Sequence, residues 1–244
     1  MKGVLLAGGT GSRLHPLTAS TNKHLLPVGK LPMIYWPIAR MLEADVTEIM
    51  VVTGREHMGA IVNLLGSGGN VGAKFTYRVQ DEAGGIAQAL GLAEHFVGDD
   101  SCVVFLGDNI FTQSIAHGIT SYSGKGAKVF LKEVPDPKRY GVAELDGERV
   151  VEIEEKPEAP KSNFAVTGCY IYEDSVFSVI KRQKPSTRGE LEITDVNNVY
   201  VEANQMDSCE VTGHWTDAGT FTSLLRANQL VAELEIPEVL RALI

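Results

Sequence analysis

The chain of 244 residues contains only three cysteines, Cys102, Cys169 and Cys209, and no CxxC spacing. An odd number of thiols in apolar, strand-like contexts excludes a disulfide framework and predicts reduced thiols in a cytoplasmic setting. No run of about 18 apolar residues occurs, so neither a membrane-spanning helix nor a membrane partner is expected. The opening MKGVLLAGG is too short and too glycine-rich for a signal peptide. Positive charge is in deficit, with 22 Lys and Arg against 31 Asp and Glu for a net charge of −9. That excludes a general nucleic-acid binder, whose surface needs clustered cations, but leaves room for a small anion in a local basic cleft. Catalytic signatures are missing too: there is no HExxH and no GxSxG. The six histidines (His15, His24, His57, His95, His117 and His214) are scattered, and each is expected on the surface or packed.

What is present is the composition of an ordinary globular protein, 44% hydrophobic and 22% charged. Its 25 glycines exceed the usual share of about 7%. They predict many turns and places where backbone approaches a ligand closely. In the first half, short apolar runs at 2–7, 47–53, 74–79 and 101–106 alternate with helical patterns at 33–44, 57–65 and 86–96. Ile34, Ile38, Met41 and Leu42 fall on one helical face. The βαβα order predicts a mainly parallel sheet with helices on its faces. After about residue 126, strand-like runs crowd together at 127–132, 140–145, 149–154 and 165–172, with LDGE (145–148) reading as a hairpin turn. Helices are expected again at 174–182, 192–203 and 220–234. The fold class is α/β: a Rossmann-like mixed, mainly parallel sheet flanked by helices, with an inserted antiparallel portion. One domain over 1–244 is the simplest organisation.

The first strand runs into Gly8-Gly9-Thr10-Gly11-Ser12-Arg13. Such a turn lets backbone N–H groups point at one anion. It is not a P-loop, because Arg13 stands where that motif wants Lys followed by Ser or Thr. It is not the dinucleotide fingerprint either, since the third glycine would fall on Leu14. A plain strand exit with a solvated arginine would fit the turn alone. The sequel does not suit a plain crossover, whose loops run about 2–6 residues. Here a long connection braced by Pro16, Pro27, Pro32 and Pro37 carries Lys23.

Later segments have two readings each. VQDEAGGIAQAL (79–90) is an ordinary strand-to-helix turn with surface glutamines, or a site where the Gln80 amide meets a polar edge. Asp108 in VVFLGDN starts a turn, or sits where ligands bind beyond the carboxyl ends of strands. Asp217 in HWTDAGT caps the final helix, or pairs with Asp108 as a Mg2+ site, which wants few carboxylates and several phosphate and water oxygens. Glu155 and Lys156 end a strand before Pro157.

Residues 6–34, LAGGTGSRLHPLTASTNKHLLPVGKLPMI, resemble the sugar-phosphate nucleotidyltransferase signature LAGGxGxRLxPLTxxxxKxLLPV with its following KPMI-like segment. Further similarity runs in order from residue 3 to about 222, through RYGVAEL, IEEKP, AVTGCYIY and PSTRGELEITDVN. The resemblance implies that the nucleotide is held by Leu6, Gly8, Gly9, Gly11, Ser12, Arg13, Gln80 and Gly85, with Arg13 and Lys23 as catalytic cations. It implies that the sugar phosphate is bound by Tyr140, Gly141, Glu155, Lys156, Val166, Gly168 and Arg188, and that Asp108 and Asp217 hold Mg2+. Residues 1–125 are then mainly the nucleotide half, 126–222 mainly the sugar-phosphate part, and 223–244 a C-terminal helix. Glu190, Glu192 and Asp195 are expected as helix-start acids.

Within the family the resemblance points to dTDP-glucose and pyrophosphate made from dTTP and glucose 1-phosphate, with UTP or another hexose phosphate as the nearest alternative. A non-catalytic sugar-nucleotide sensor would be expected to lack Arg13, Lys23 or Asp108, and all three are present. The failed fingerprint disfavours a nicotinamide or flavin oxidoreductase. The family forms dimers and tetramers, so a homo-oligomer is implied. Longer members continue with helices that help build a regulatory nucleotide site, and the end at Ile244 leaves feedback through that route open.

Overall fold

A computed structural model of the protein describes residues 1–243. The first half contains β1 (Lys2–Ala7), the short pair β2 (Pro27–Val28) and β3 (Leu31–Pro32), α1 (Tyr35–Leu42) and β4 (Glu48–Gly54). It continues through α2 (Met58–Leu65), β5 (Lys74–Gln80), α3 (Ile86–Gly91), α4 (Glu94–Val97) and β6 (Cys102–Leu106). Next come β7 (Asn109–Phe111), α5 (Ala116–Thr120), β8 (Ala127–Glu133), β9 (Gly141–Asp146), β10 (Arg149–Glu155) and β11 (Phe164–Tyr172). The chain ends in α6 (Val176–Arg182), α7 (Ile193–Glu202), β12 (Met206–Glu210), β13 (Trp215–Asp217) and α8 (Phe221–Val231).

Among the described residues, nine strands pair into one sheet whose main path is β10-β9-β11-β6-β1-β4-β5, with β8 and β12 branching from β11. The first-half strands β6, β1, β4 and β5 are all parallel. Parallel strands need crossovers, and the α-helices between them supply these. The antiparallel part enters where β11 pairs with β6, and β9–β10 is the hairpin expected from LDGE. Apolar clusters cover both faces. Leu5, Val51 and Phe105 belong to one, and Val4, Val52 and Val104 to the other. This is the alternation of side chains along strands buried on both sides. Cys102 and Cys169 are buried and Cys209 is half-buried, all with free thiols. No helix among the described residues is long and apolar enough to cross a membrane.

Several elements depart from the expectation. The helix expected over 86–96 breaks into α3 and α4, with Leu92 and Ala93 bonding back to Ala89 and Leu90 in tight turns. The final helix stops at Val231. Leu234 closes a tight turn onto Val231, and after Pro237 the chain makes a 3-10 turn over Glu238–Leu243. The expectation of a single helix over 223–244 is therefore corrected, and its last residue, Ile244, lies outside the described residues. Proline cannot donate the N–H that would continue the helix. Two strands had no hydrophobic signature: β12, which is largely polar, and β13 in the ribbon it forms with β7.

Candidate functional site

The carboxyl ends of the parallel strands converge on the site, as the topology of an open α/β sheet requires. Ala7 ends β1 and delivers Gly8; Leu106 ends β6 and delivers Asp108; Gln80 is the last residue of β5. The glycine turn then closes into a short 3-10 turn, with Gly11 in the left-handed region at φ 63°. A side chain at Gly11 would collide with Thr18 and press on Lys23, so the turn and the lysine-bearing end of the loop are packed together. Asn22 secures that end. Its amide donates to the Ala7 carbonyl at 3.3 Å, and its Oδ1 accepts from the His24 N–H at 2.8 Å. The His24 ring sits 2.6 Å from the same oxygen. The buried His24 is held neutral, its pKa lowered to about 3 first by burial and then by the Lys23 charge.

A third apolar cluster explains how the proline-braced loop stays in place. Leu14, Leu26, Val28, Met33 and Trp36 from the loop and α1 pack with Ala218, Leu224, Ala227 and Val231 of the α8 region. Asn228 of α8 clasps the hairpin turn through Gly29 N–H and Pro27 O. Asp217 thus belongs to the same packed unit as the loop that carries Arg13 and Lys23.

The two acids meet for a reason in the backbone. β7 and β13 pair antiparallel with Asn109 opposite Asp217, and Ala218 N–H donates to Asp108 O at 2.8 Å. Asp217 is not a helix cap; Thr220 caps α8, in a reciprocal bond with Ser223. Gly219 packs between the charged groups. A Cβ built on it would lie 3.3 Å from Asp108 Oδ2, 3.3 Å from Asp217 Oδ2 and 3.2 Å from Arg13 Nη2. Both carboxylates and the guanidinium therefore surround one small space.

Each acid has defined partners. Lys23 Nζ lies 2.5 Å from Asp108 Oδ2, and Asn109 donates to Asp108 Oδ1 at 3.0 Å. Burial pushes the Asp108 carboxyl up, but the Lys23 charge and these hydrogen bonds outweigh it, holding the group well below the usual carboxylate range. Asp217 accepts from Tyr140 Oη at 3.1 Å, Gly219 N–H at 3.2 Å and Ser223 Oγ at 3.2 Å. Arg139 lies 3.2 Å from Asp217 Oδ1. The Tyr140 hydroxyl is pushed up to about 12 by burial and the neighbouring Asp217 charge.

Two cavities share this centre. One of about 350 Å³ is lined by Leu6, Gly8, Gly9, Arg13, Lys23, Gln80, Gly85 and Asp108. The other, of about 430 Å³, is lined by Arg13, Asp108, Tyr140, Gly141, Glu155, Lys156, Val166, Gly168 and Asp217. They meet at Arg13, Ile86, Leu106 and Asp108. The expected nucleotide residues thus gather on one side and the expected sugar-phosphate residues on the other. Gly11 and Ser12 lie outside both linings, and so does Arg188. Arg188 is bound to Glu192 through Nε and Nη2 at 2.9–3.2 Å, with Glu155 at 3.7 Å. Lys156 occupies the left-handed region at φ 48°, uncommon for a residue with a side chain, and its Nζ is 3.0 Å from Glu155.

Several residues of the site carried no sequence signal. Asn109 is a buried hub: its Oδ1 accepts from Trp215 Nε1 and from Gly168 N–H, both at 2.8 Å, while its amide holds Asp108. Trp215 and Thr194 line the larger cavity, and Thr194 donates to Glu155 at 2.8 Å. The 185–192 segment is stitched to the Gln80 segment, with Leu191 N–H on Gly84 O and Ala87 N–H on Leu191 O. Only the pairing of distant segments reveals these roles. For Asn109, the signal available was its place beside Asp108.

A low-salt glycan biosynthesis nucleotidyltransferase of Haloferax volcanii is 43% identical over 237 residues, covering 96% of this chain and 66% of that protein. A glucose-1-phosphate thymidylyltransferase of Neisseria meningitidis is 42% identical over 242 residues, covering 96% and 84%. The crystal structure of a Bacillus anthracis protein, provisionally assigned as a glucose-1-phosphate thymidylyltransferase and solved with sucrose, superposes with a TM-score of 0.94 at 56% identity, covering 98% of both chains. The family model described as nucleotidyl transferase matches residues 2–233. With a match of that extent around a paired-carboxylate centre between two cavities, the chain belongs to the nucleotidyl transferase family.

Proposed function

We propose that the protein forms dTDP-glucose and pyrophosphate from dTTP and glucose 1-phosphate. The observation that carries this reading is the convergence of Asp108, Asp217 and Arg13 on one small space beside the junction of the two cavities, which Arg13 and Asp108 both line. A triphosphate in the smaller cavity would bring its α-phosphate to that junction. A sugar phosphate in the larger cavity would approach from the opposite side. The thymidylyltransferase names of the relatives support this choice of substrates.

The donor set suits Mg2+. Two carboxylates bound a space that a single methyl carbon would fill. Mg2+ takes one or two carboxylates and completes its shell with water and phosphate oxygens. Asp108 and Asp217 would hold it. Bound there, it would supply charge stabilisation to the phosphate oxygens and the departing pyrophosphate.

The protein's own groups divide the remaining work. A sugar 1-phosphate has a second pKa of about 6 and needs no general base at neutral pH. Its oxygen attacks the α-phosphorus of dTTP; the new P–O bond forms as the α–β bridging bond breaks, and pyrophosphate leaves. Arg13 and Lys23 offset the mutual repulsion of the two reacting phosphates, and Lys156, on the lining of the larger cavity, balances the sugar phosphate. Positioning and fixed charge carry such a reaction without a covalent nucleophile. Glu155, oriented by Thr194, is placed to accept hydrogen bonds from hexose hydroxyls.

Pyrophosphate release across a matrix of dTTP, UTP, dCTP and ATP against glucose, mannose and galactose 1-phosphates tests the reading. Fastest release with dTTP and glucose 1-phosphate supports it. Release that favours a purine triphosphate, or that does not depend on a sugar phosphate, contradicts it.

A further inference from the structure

Gln80 lines the smaller cavity, and Gln88 stands behind it as the partner of its side-chain amide. Gln80 closes β5, and Gln88 lies one turn into α3. Gln80 Nε2 donates to Gln88 Oε1 at 2.7 Å, and the Gly85 carbonyl is 3.5 Å from the same nitrogen. Both nitrogen hydrogens of Gln80 are therefore directed at oxygens on the α3 side. Gln80 Oε1 faces the other way, against the backbone of Gly8, where a built Cβ would be 2.5 Å from it. The Gln88 stem is set in turn against Gly84, whose built Cβ would be 2.9 Å from Gln88 Cγ.

Two facing amides have an alternative in which both rotate by half a turn. The Gly85 carbonyl breaks that symmetry. It is fixed in place by the Ala89 N–H at 3.1 Å and can only accept, so it favours the nitrogen of Gln80 on its side. The group that Gln80 presents to the cavity is consequently an acceptor. Thymine and uracil offer an N3–H donor in the corresponding place, and cytosine offers a bare N3 lone pair.

We propose that Gln88 is a specificity-determining positioning residue: by anchoring the Gln80 amide nitrogen it leaves only the Gln80 oxygen for the base, selecting pyrimidines with an N3–H and rejecting cytosine. This rests on the reading of the smaller cavity as a pyrimidine nucleotide site. The Gln80 oxygen lone pair aimed at the N3 nitrogen lone pair of cytosine makes the rejection, and an amide free to turn would remove it. The chemistry of Gln88 predicts a graded series. Gln88→Glu keeps an acceptor and cannot donate, so it holds Gln80 in the same sense. Gln88→Met matches the stem in shape but has no strong acceptor, so it frees the Gln80 amide to turn toward cytosine.

Equilibrium titration of dTTP and dCTP into the wild type and both variants tests this, alongside kcat and KM for dTTP. The expected result is a dTTP-over-dCTP affinity ratio that falls tenfold or more in Gln88→Met and stays within threefold of wild type in Gln88→Glu. The change should appear in KM more than in kcat. A Gln88→Met variant that folds and keeps the wild-type ratio within threefold would overturn the proposal, as would an equal loss of the ratio in Gln88→Glu. Nucleotide affinity is read independently of turnover. A wild type that binds dTTP but releases no pyrophosphate would therefore count against the activity and leave the Gln88 result standing on its own.

Discussion

Lys23 Nζ rests 2.5 Å from Asp108 Oδ2, with both side chains mostly buried at 15% and 13% exposure. The contact joins the end of the proline-braced loop to the end of β6, 85 residues apart in sequence. It keeps the carboxylate ionised and keeps the lysine beside the space shared by the two cavities. Removing the cation while preserving its stem should expose both functions. Lys23→Met is expected to lower kcat for pyrophosphate release by about 10²–10³-fold, the scale for losing one fixed charge-stabilising donor. Circular dichroism should show the fold retained. A loss of less than fivefold would remove Lys23 from the reaction.

Gly219 supplies a test of the proposed metal space that changes no charged group. The methyl of Gly219→Ala would press on Asp108, Asp217 and Arg13 together, at 3.2–3.3 Å. Turnover should fall by about 10²-fold, because a misplacement of about 1 Å in a positioned site carries that cost. The Mg2+ concentration for half-maximal activity should rise, measured by titrating the ion at saturating substrates.

Tyr140 and Asp217 should rank differently. The Tyr140 hydroxyl is one of several donors to Asp217, alongside Gly219 N–H, Ser223 and Arg139. Tyr140→Phe removes a single hydrogen bond, worth about 0.5–1.5 kcal/mol, and should slow turnover about tenfold or less. Asp217→Asn removes a proposed ligand and should cost at least about 100-fold by the same assay. Equal effects would place the role on the tyrosine.

His24 makes stability depend on pH. Its folded value near 3 lies below the ordinary 6.5, because burial disfavours the charged ring. Between those values the unfolded chain binds a proton that the folded chain refuses. This contribution is full above pH 6.5 and is lost as pH falls toward 3, at up to about 1.4 kcal/mol per pH unit. Urea unfolding at pH 6.5 and 4.5 should show His24→Gln losing about 2 kcal/mol less than the wild type over that interval. Parallel losses would contradict the assignment.

The parts legible in sequence were those written in contiguous residues. The alternating strand–helix order of the first half and the hairpin at LDGE reappear in β1 to β6 and in β9–β10. Three glycines, Arg13 and Lys23 stood close enough along the chain to suggest an anion site. Asp108 and Asp217 were legible as two acids at element ends, but the short ribbon of β7 and β13 that brings them together had no local signature. Asn109 and Trp215 escaped notice for the same reason: a buried polar hub is defined by its partners, and those come from β11 and β13. For β12, a strand with exposed Asp207 and Glu210 lacks the apolar alternation that marks a strand in sequence. Tertiary pairing with β8 makes it a strand.

The proposed reaction is a single in-line displacement at the α-phosphorus, with no covalent nucleotidyl intermediate on the protein. Turnover of one diastereomer of dTTP carrying sulfur on the α-phosphate, with glucose 1-phosphate and Mg2+, tests it most directly. A single displacement gives sugar-nucleotide product with inverted configuration at phosphorus, read by phosphorus NMR. Retention would mean two displacements through a protein nucleophile, and retention, or no sugar nucleotide at all under conditions where dTTP binds, would rule out direct attack by the sugar phosphate.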